Sequence, residues 1–243
     1  MQLSLEIALL YQSFSNAADV WEAVASTHPE FDKIKVMDGF EDKKLIYGSV
    51  DSYLRKTGAD GLLIEMSEAS IQHGNIADLE LSRLDLIRLV RDADDAQRWL
   101  AKLLKDERMV HARLYDFEYD HWQNAEDLAV YAAAGRSTAG LPMKSNGLPF
   151  PLTQQIVNTD ANPGRWRLRR GWIESVGATM WLGPQFWKKA GANYAALQSC
   201  DGVVMTDVGS GVTKVTTAQG VFRTADGCEG DLQKRMRAAL YGT

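Results

Sequence analysis

The sequence predicts an α+β fold in which a mainly antiparallel sheet packs against several helices. Two observations support this class. Segments with alternating apolar and polar residues are short and numerous, and helical segments do not alternate regularly with them. The first candidate strand shows the pattern, because Leu3, Leu5, Ile7 and Leu9 would share one face. We therefore expect a single compact domain of 243 residues, which is long enough to bury a large core.

In the first half of the chain, helices are predicted where a capping residue or carboxylates precede an apolar face. Ser15 or Asn16 can cap a helix that runs to about Ala25. Three carboxylates open a second helix over 92–107. Residues 79–90 fit a strand and a helix, and we favour the strand. The other predicted elements here are strands at 33–37, 44–48, 61–66 and 110–119, a helical turn at 50–56 closed by Gly58, and a short helix at 126–134.

Residues 135–151 are rich in glycine and proline, which predicts a long loop and, if the chain has two subdomains, their boundary. The elements predicted after this loop are strands at 153–157, 166–173 and 176–182, a helix from Pro184 toward Leu197, a hairpin of 203–208 with 212–217, and a terminal helix at 231–241.

The net charge of −5 hides an asymmetry between the two halves of the chain. Residues 1–130 hold 14 Lys and Arg against 25 Asp and Glu, whereas residues 131–243 hold 13 against 7. An acidic half of this size repels nucleic acid and attracts basic partners. A solubilising surface without a partner is the alternative interpretation.

Composition also bears on compartment and cofactors. The two cysteines, Cys200 and Cys228, lack the spacing of a zinc or redox motif, so no metal and no cofactor is expected. The first residues lack a basic segment of the signal-peptide type, and no apolar run approaches the roughly 18 residues of a membrane span. We therefore expect a cytoplasmic protein that does not contact a membrane.

The incomplete match to known catalytic motifs argues against an enzyme. Residues 135–140 nearly match a nucleophile elbow, but Ala139 replaces the required glycine and every histidine precedes the serine. Residues 209–214 lack the phosphate-loop spacing. One enzymatic alternative stays open, a magnesium-dependent nuclease in which Asp32 and Glu41 bind the metal and Lys43 stabilises developing charge.

Two rows of charge are candidate binding surfaces. Asp116, Glu118 and Asp120 alternate along the predicted strand and would share one face. That face could be solvated, could ligate a metal near His111 and His121, or could bind a basic protein. The arginines between Arg165 and Arg170 form the opposite row, which suggests either a nucleic-acid-binding module or arginines that face water or pair with the acidic half.

Four tryptophans fall within 22 residues, and we expect them to form a structural aromatic cluster. The predicted members are Trp166, Trp172, Trp181, Phe186 and Trp187. Residues 171–173, Gly-Trp-Ile, followed by 180–187, Met-Trp-Leu-Gly-Pro-Gln-Phe-Trp, resemble the region that marks the immunity protein 52 family. Members of this family are cytoplasmic antidotes found beside bacterial polymorphic toxins, including those of type VI secretion.

The resemblance implies a one-domain α+β protein that binds a cognate toxin, expected to be a restriction-endonuclease-like nuclease, and neutralises it by stoichiometric occlusion without catalysis. Because a nuclease presents a basic groove to its substrate, we expect carboxylates of the acidic half to contact it. The candidates are Asp92, Asp94 and Asp95 at one helix start, and Asp116, Glu118 and Asp120.

Overall fold

A computed structural model describes residues 2–25, 34–38, 41–58, 61–66 and 68–242. The described strands are β1 (Leu3–Leu10), β2 (Ile34–Asp38), β3 (Glu41–Leu45), β4 (Leu62–Met66), β5 (Ala69–Ile76), β6 (Leu81–Val90), β7 (Met109–Tyr115), β8 (Met143–Ser145), β9 (Gln155–Val157), β10 (Arg167–Arg169), β11 (Trp172–Glu174), β12 (Thr179–Leu182), β13 (Val203–Asp207) and β14 (Thr213–Thr217). The described helices are α1 (Ala17–Ala25), α2 (Tyr47–Thr57), α3 (Ala93–Leu100), α4 (Phe117–Asn124), α5 (Leu128–Ala133), α6 (Pro184–Ala190), α7 (Tyr194–Gln198) and α8 (Gly227–Tyr241).

The architecture is α+β, as predicted, and is built on one ten-stranded sheet. Its strand order is β13-β14-β12-β7-β1-β6-β5-β4-β2-β3, and the neighbouring strands pair antiparallel. Two small sheets, β8 with β9 and β10 with β11, lie outside it. Among the described residues, no helix is both long and apolar enough to cross a membrane.

Both faces of the large sheet carry an apolar core, because successive side chains of a strand point to opposite faces. Leu5 and Ile7 of β1 belong to one core, together with residues of α1, α2 and α3. Ala8 of β1 belongs to the other, together with residues of α6, α7 and α8. The central strands are therefore covered on both sides, and β1 is buried along nearly its whole length.

Capping residues set several helix boundaries where the sequence predicts them. The Asn16 side chain accepts hydrogen bonds from the backbone N–H groups of Ala18 and Asp19, at 2.9 and 3.1 Å, and α1 begins beside it. Gly58 ends α2 with φ of 63°, a left-handed conformation that favours glycine. Pro184 stands in the first turn of α6.

The prediction of a strand through residue 119 is wrong. β7 ends at Tyr115, and the Asp116 side chain accepts a hydrogen bond from the Tyr119 N–H at 3.0 Å, which caps α4. Glu118 and Asp120 lie in the first turn, where carboxylates are favoured by the helix dipole. The alternation of apolar and acidic residues therefore reflects a helix start, and the three carboxylates do not share a strand face.

Other boundaries differ for local reasons. The predicted helix at 92–107 ends at Leu100, and the predicted strand at 166–173 is two strands joined by a turn at Gly171, where φ is 77°. The helix from Pro184 stops at Gly191, whose φ of 61° is left-handed, and α7 follows separately. Strand β5 was not predicted, because its central residues are polar and only Ile71 and His73 are buried.

Within 135–151, the segment predicted as a loop or boundary, the chain leaves α5 and enters β8. The β8–β9 hairpin that follows is tied back to the preceding helices, since the Val157 N–H donates to the Glu126 carbonyl at 2.9 Å. The assignment of 1–243 to one domain and the placing of a subdomain boundary here remain predictions.

Candidate functional site: an acidic cleft

A cleft of about 380 Å³ lies between the sheet and the α4–α5 segment. Arg83 is the arginine among the residues that line the cleft. The cleft is therefore rich in negative charge, with aromatic faces beside the carboxylates. The lining carboxylates are Asp85, Asp120, Glu126 and Asp127, and the lining aromatic residues are Tyr115, Phe117 and Trp166.

The register of the three central strands brings charged residues together at the base of this cleft. Glu6 of β1 pairs with Asp85 of β6 on one side and with Arg113 of β7 on the other. Because residues paired across strands point to the same face, their side chains meet on the α4 side of the sheet. Five charged residues at this place, Glu6, Arg83, Asp85, Arg113 and Asp120, are called here the buried charge network.

Short ion pairs connect the buried charge network. Glu6 is fully buried, and it lies 2.7 Å from Arg113 Nε and 3.0 Å from Arg83 Nη2. Arg113 Nη1 lies 2.7 Å from Asp120 Oδ1, and Arg83 Nε lies 2.7 Å from Asp85 Oδ2. Three carboxylates therefore share two guanidinium groups, and the network carries one more negative than positive charge when all members are ionised.

Burial and neighbouring charges shift the pKa values of the carboxylates of the network in opposite directions. Burial opposes ionisation of Glu6, but Arg113 and Arg83 lower its pKa to about 2. Burial raises the pKa of Asp85 to about 6, and the nearby Glu6 charge raises it further while Arg83 opposes the shift. Burial also raises the pKa of Asp120. The pKa values of Glu6 and Asp85 therefore lie on opposite sides of the usual carboxyl range.

Helix α4 holds the wall of the cleft in place. The Trp166 N–H donates to Asn124 Oδ1 at 2.8 Å, and the Gly164 N–H donates to Gln123 Oε1 at 3.0 Å. The Arg83 guanidinium lies 4.7 Å from the centre of the Trp166 ring. Trp166 is therefore fixed at the mouth by backbone and side-chain contacts, and it closes the cleft over Arg83.

Two of the six predicted toxin-contacting carboxylates, Asp95 and Asp116, are buried, and a third, Asp120, is partly buried. Asp95 pairs with Arg91 and Arg98 at 3.0 and 2.7 Å, and although burial opposes its ionisation, hydrogen bonds from Arg91 and Arg98 hold its pKa well below the usual range. Asp116 caps α4, and Asp120 belongs to the buried charge network. Those that face solvent are Asp92, Asp94 and Glu118.

The sheet brings the two predicted acidic segments to the same end. Val90, the last residue of β6, pairs with Leu3 of β1, and Tyr115, the last residue of β7, pairs with Ser4. Both helices that follow, α3 and α4, therefore begin near the start of β1. They lie on opposite faces, because α3 packs into the core with Leu5 and α4 packs on the other core.

The arginine row at 165–170 is engaged with carboxylates. Arg167 pairs with Asp160 at 2.5 Å, and Arg169 pairs with Glu174 at 2.5 Å. Arg170 pairs with Glu80, which belongs to the acidic half. Of these three ion pairs, only that of Arg170 joins the two halves.

Four of the five predicted aromatic residues pack in one apolar core, and the placing of Trp181 with them was wrong. Phe186 is buried, and its ring centre lies 6.2 Å from that of Trp172 and 5.6 Å from that of Trp187. Trp181 belongs to the core on the opposite face of the sheet, whereas Trp166 packs against the same core as Phe186 and also lines the cleft. Alternation along β12 separates Trp181 from the others, since Met180 and Leu182 point toward Phe186.

The proposed nuclease residues are only partly described. Asp32 lies outside the described residues, while Glu41 and Lys43 lie two positions apart on the edge strand β3. Within the described part of the chain, no group of three or more His, Cys, Asp and Glu residues is placed so as to hold a metal ion.

The buried charge network was missed by sequence reasoning, although one signal for it exists. Glu6 stands inside the most apolar strand, and a carboxylate there must find a buried cation. Its partners come from residues 83 and 113, far along the chain. Strand order, which the sequence does not show, decides which arginines they are.

Buried histidines beside this region predict a loss of stability in acid. Burial lowers the pKa of His73 and of His111 from 6.5 to about 4. A depressed folded-state pKa of a base means that stability is present above the unfolded pKa and is lost as the pH falls from 6.5 to 4, by up to about 3 kcal/mol for each histidine. Asp85 has the opposite effect on stability between about pH 4 and 6, because its folded-state pKa is raised.

We expect the variant His111→Phe, which keeps a ring against Phe186, to show a shallower fall in unfolding free energy between pH 6.5 and 4. Urea denaturation at several pH values measures it. His121→Phe, a change at an exposed histidine, is the control and should leave the slope unchanged. Equal slopes for the wild type and His111→Phe would contradict the assignment.

Comparison with known proteins adds little. No family model matches the chain, and no curated protein matches it. Among solved structures, the Pseudomonas aeruginosa T6SS protein PA0821 is similar with a TM-score of 0.49 and 10% identity, over 100% of this chain and 74% of that one. A similarity this weak carries no argument about function. The resemblance to the immunity protein 52 family therefore rests on residues 171–173 and 180–187.

Proposed function

We propose that this protein is an immunity protein that binds a cognate bacterial toxin and neutralises it by stoichiometric occlusion, without catalysis of its own. The acidic cleft is the observation that carries the proposal. Asp85 and Asp120 in its lining share Arg83 and Arg113 with Glu6, which leaves the network one negative charge in excess, and the exposed Asp127 adds another, so the cleft fits a basic group of a partner. The resemblance at residues 171–187 is consistent with this class of protein.

The chemistry of the cleft suits a lysine or arginine side chain. Asp127 at its rim is exposed and attracts a cation, and Glu126 beside it is shared with Lys144. A nuclease carries such side chains in its substrate groove, because it must bind phosphates. Occupation of that groove by an acidic surface would exclude the nucleic acid.

Exposed carboxylates beside the cleft and at the same end of the sheet extend the acidic surface. Glu118 lies in the first turn of α4, and Asp127 caps α5. Asp92 and Asp94 stand at the start of α3, at the same end of the sheet. Their expected role is to accelerate association by long-range attraction, while the cleft holds the partner.

The test uses a variant in which exposed carboxylates are replaced by neutral amides of the same shape. The variant Asp92→Asn/Asp94→Asn/Glu118→Gln/Asp127→Asn retains side chains that cap helices about as well as aspartate. We expect its association rate constant for the cognate toxin to fall about 10-fold or more at low salt, with a weaker salt dependence than the wild type. Stopped-flow fluorescence over a range of ionic strength measures both quantities.

The matched control is Asp201→Asn/Asp207→Asn/Asp226→Asn/Asp231→Asn, which removes four exposed carboxylates from the second half and also includes a helix-capping position. Its association rate should stay close to that of the wild type. Equal effects of the two variants would show that only net charge matters, and an unchanged rate in the first would reject the acidic surface. Failure of the wild type to bind the toxin would reject the function.

A further inference from the structure

The tip of the β8–β9 hairpin, residues 146–154, exposes several large apolar side chains. Phe150 is 92% exposed, Leu152 59% and Leu148 50%. Isolated exposed apolar residues are common, but three within five positions on one projecting turn form a patch. Residues 145–159 also contain no charged side chain, in a chain of which 24% is charged. This patch contributes nothing to either apolar core of the described residues.

Hydrogen bonds hold the hairpin tip in one conformation. The Asn146 side chain donates to the Leu152 carbonyl at 2.9 Å and accepts from the Leu148 and Gln154 N–H groups at 3.1 Å each. Thr153 Oγ1 donates to the Leu148 carbonyl at 2.7 Å. Prolines on both sides of Phe150 restrict the backbone further. The apolar side chains are therefore presented to solvent by an ordered turn.

We infer that the hairpin tip is a preformed anchor that inserts Phe150 and its apolar neighbours into an uncharged, apolar pocket of the bound toxin. This inference rests on the proposed function, and it names the contact that supplies affinity. An aromatic side chain on an ordered turn loses little backbone freedom on binding, and aromatic residues are enriched among the interface residues that carry most of the binding energy. The absence of charge over 145–159 indicates that the receiving pocket is uncharged as well.

The base of the hairpin joins this anchor to the acidic cleft. Glu126, a lining residue of the cleft, lies 2.8 Å from Lys144 Nζ of β8 and accepts a hydrogen bond from Thr159 Oγ1 at 2.9 Å. A partner seated on the cleft therefore lies beside the hairpin. The two contacts have separate roles, since exposed charges govern the association rate and a buried apolar anchor governs the dissociation rate.

A protein pocket is favoured over a lipid surface. Segments that insert into a membrane surface combine apolar residues with lysine or arginine that bind anionic headgroups. The hairpin tip has no cation, and Lys144 at its base is paired with Glu126 and Asp160. Association of the tip with a second copy of this chain is tested as a further outcome below.

The test measures toxin dissociation from the full-length variant Phe150→Ala and from Phe150→Ala/Leu152→Ala. We expect the dissociation rate constant to rise about 10-fold or more for the single variant and further for the double variant. The association rate constant should stay within about 2-fold of the wild type, because no charge changes. Thermal denaturation should show an unchanged midpoint, since the removed atoms are exposed.

Val204→Ala, an exposed apolar residue on the edge strand β13, is the matched control and should leave dissociation unchanged. Wild-type binding with unchanged dissociation in both Phe150 variants would overturn the anchor while leaving the proposed function intact. Absence of wild-type binding would instead remove the proposed function. Two further results with unchanged toxin affinity would also overturn the anchor: Phe150-dependent flotation with phosphatidylglycerol vesicles, or a Phe150-dependent dimer in sedimentation.

Discussion

Replacement of Arg113 by methionine is expected to lower the free energy of unfolding by about 3 to 5 kcal/mol. Arg113 is almost completely buried and connects Glu6 with Asp120 at 2.7 Å each. Methionine occupies a similar volume but leaves Glu6, which is fully buried, with Arg83 alone and Asp120 without its cation. A buried charge that loses a partner is far more costly than a missing surface ion pair.

The pH dependence of this loss distinguishes a charge effect from a packing effect. Without Arg113, one cation fewer opposes the burial of Glu6 and Asp120, so their folded-state pKa values rise and the variant loses stability as these carboxylates ionise with increasing pH. The difference between wild type and Arg113→Met should therefore be larger at pH 8 than at pH 5 in urea denaturation. A difference that is the same at both values would indicate lost packing alone.

Arg55→Met is the matched control, because Arg55 is exposed and forms ion pairs with Asp51 and Glu22 at the surface. Its unfolding curve should stay close to that of the wild type. If Arg113→Met lost no more stability than Arg55→Met, the central position of Arg113 in the buried charge network would be refuted.

Truncation of Phe186 to alanine is expected to destabilise the protein by about 3 to 5 kcal/mol. Its ring centre lies 5.3 Å from that of His111 and 6.4 Å from that of Tyr241, in addition to the contacts with Trp172 and Trp187. The packed rings around it leave little room for collapse, so a cavity remains after truncation. Chemical denaturation should show a lower midpoint with an unchanged slope.

Two further variants are compared with Phe186→Ala. Phe186→Leu keeps most of the apolar volume and should cost less than half as much as alanine. Tyr194→Ala removes a ring that is nearly half exposed and lies tilted beside Trp187, with ring centres 5.1 Å apart, and its effect should be smaller than that of Phe186→Ala. Comparable losses for Tyr194→Ala and Phe186→Ala would mean that Phe186 is not the centre of the aromatic packing.

Local signals in the sequence were sufficient for most strands and for several helix ends. Alternation in β1 and the cap at Asn16 act through neighbouring residues, so no knowledge of the fold was needed. The same kind of signal was available at Asp116, because carboxylates at and after a helix start favour the first turn there as they do at Asp92. Alternating apolar residues at 117 and 119 concealed it.

The sequence by itself determined the α+β class and the acidic character of the first half, since these follow from periodicity and composition. The burial of β1 on both faces was decided by the packing of helices on each side of the sheet. Only the tertiary structure decided that Glu6 meets Arg113 and Arg83, that Asp95, Asp116 and Asp120 turn inward, and that Trp181 is separated from Phe186 by the sheet. Ion pairing and burial depend on which distant strands become neighbours, and that choice is made by the register and packing of the whole sheet.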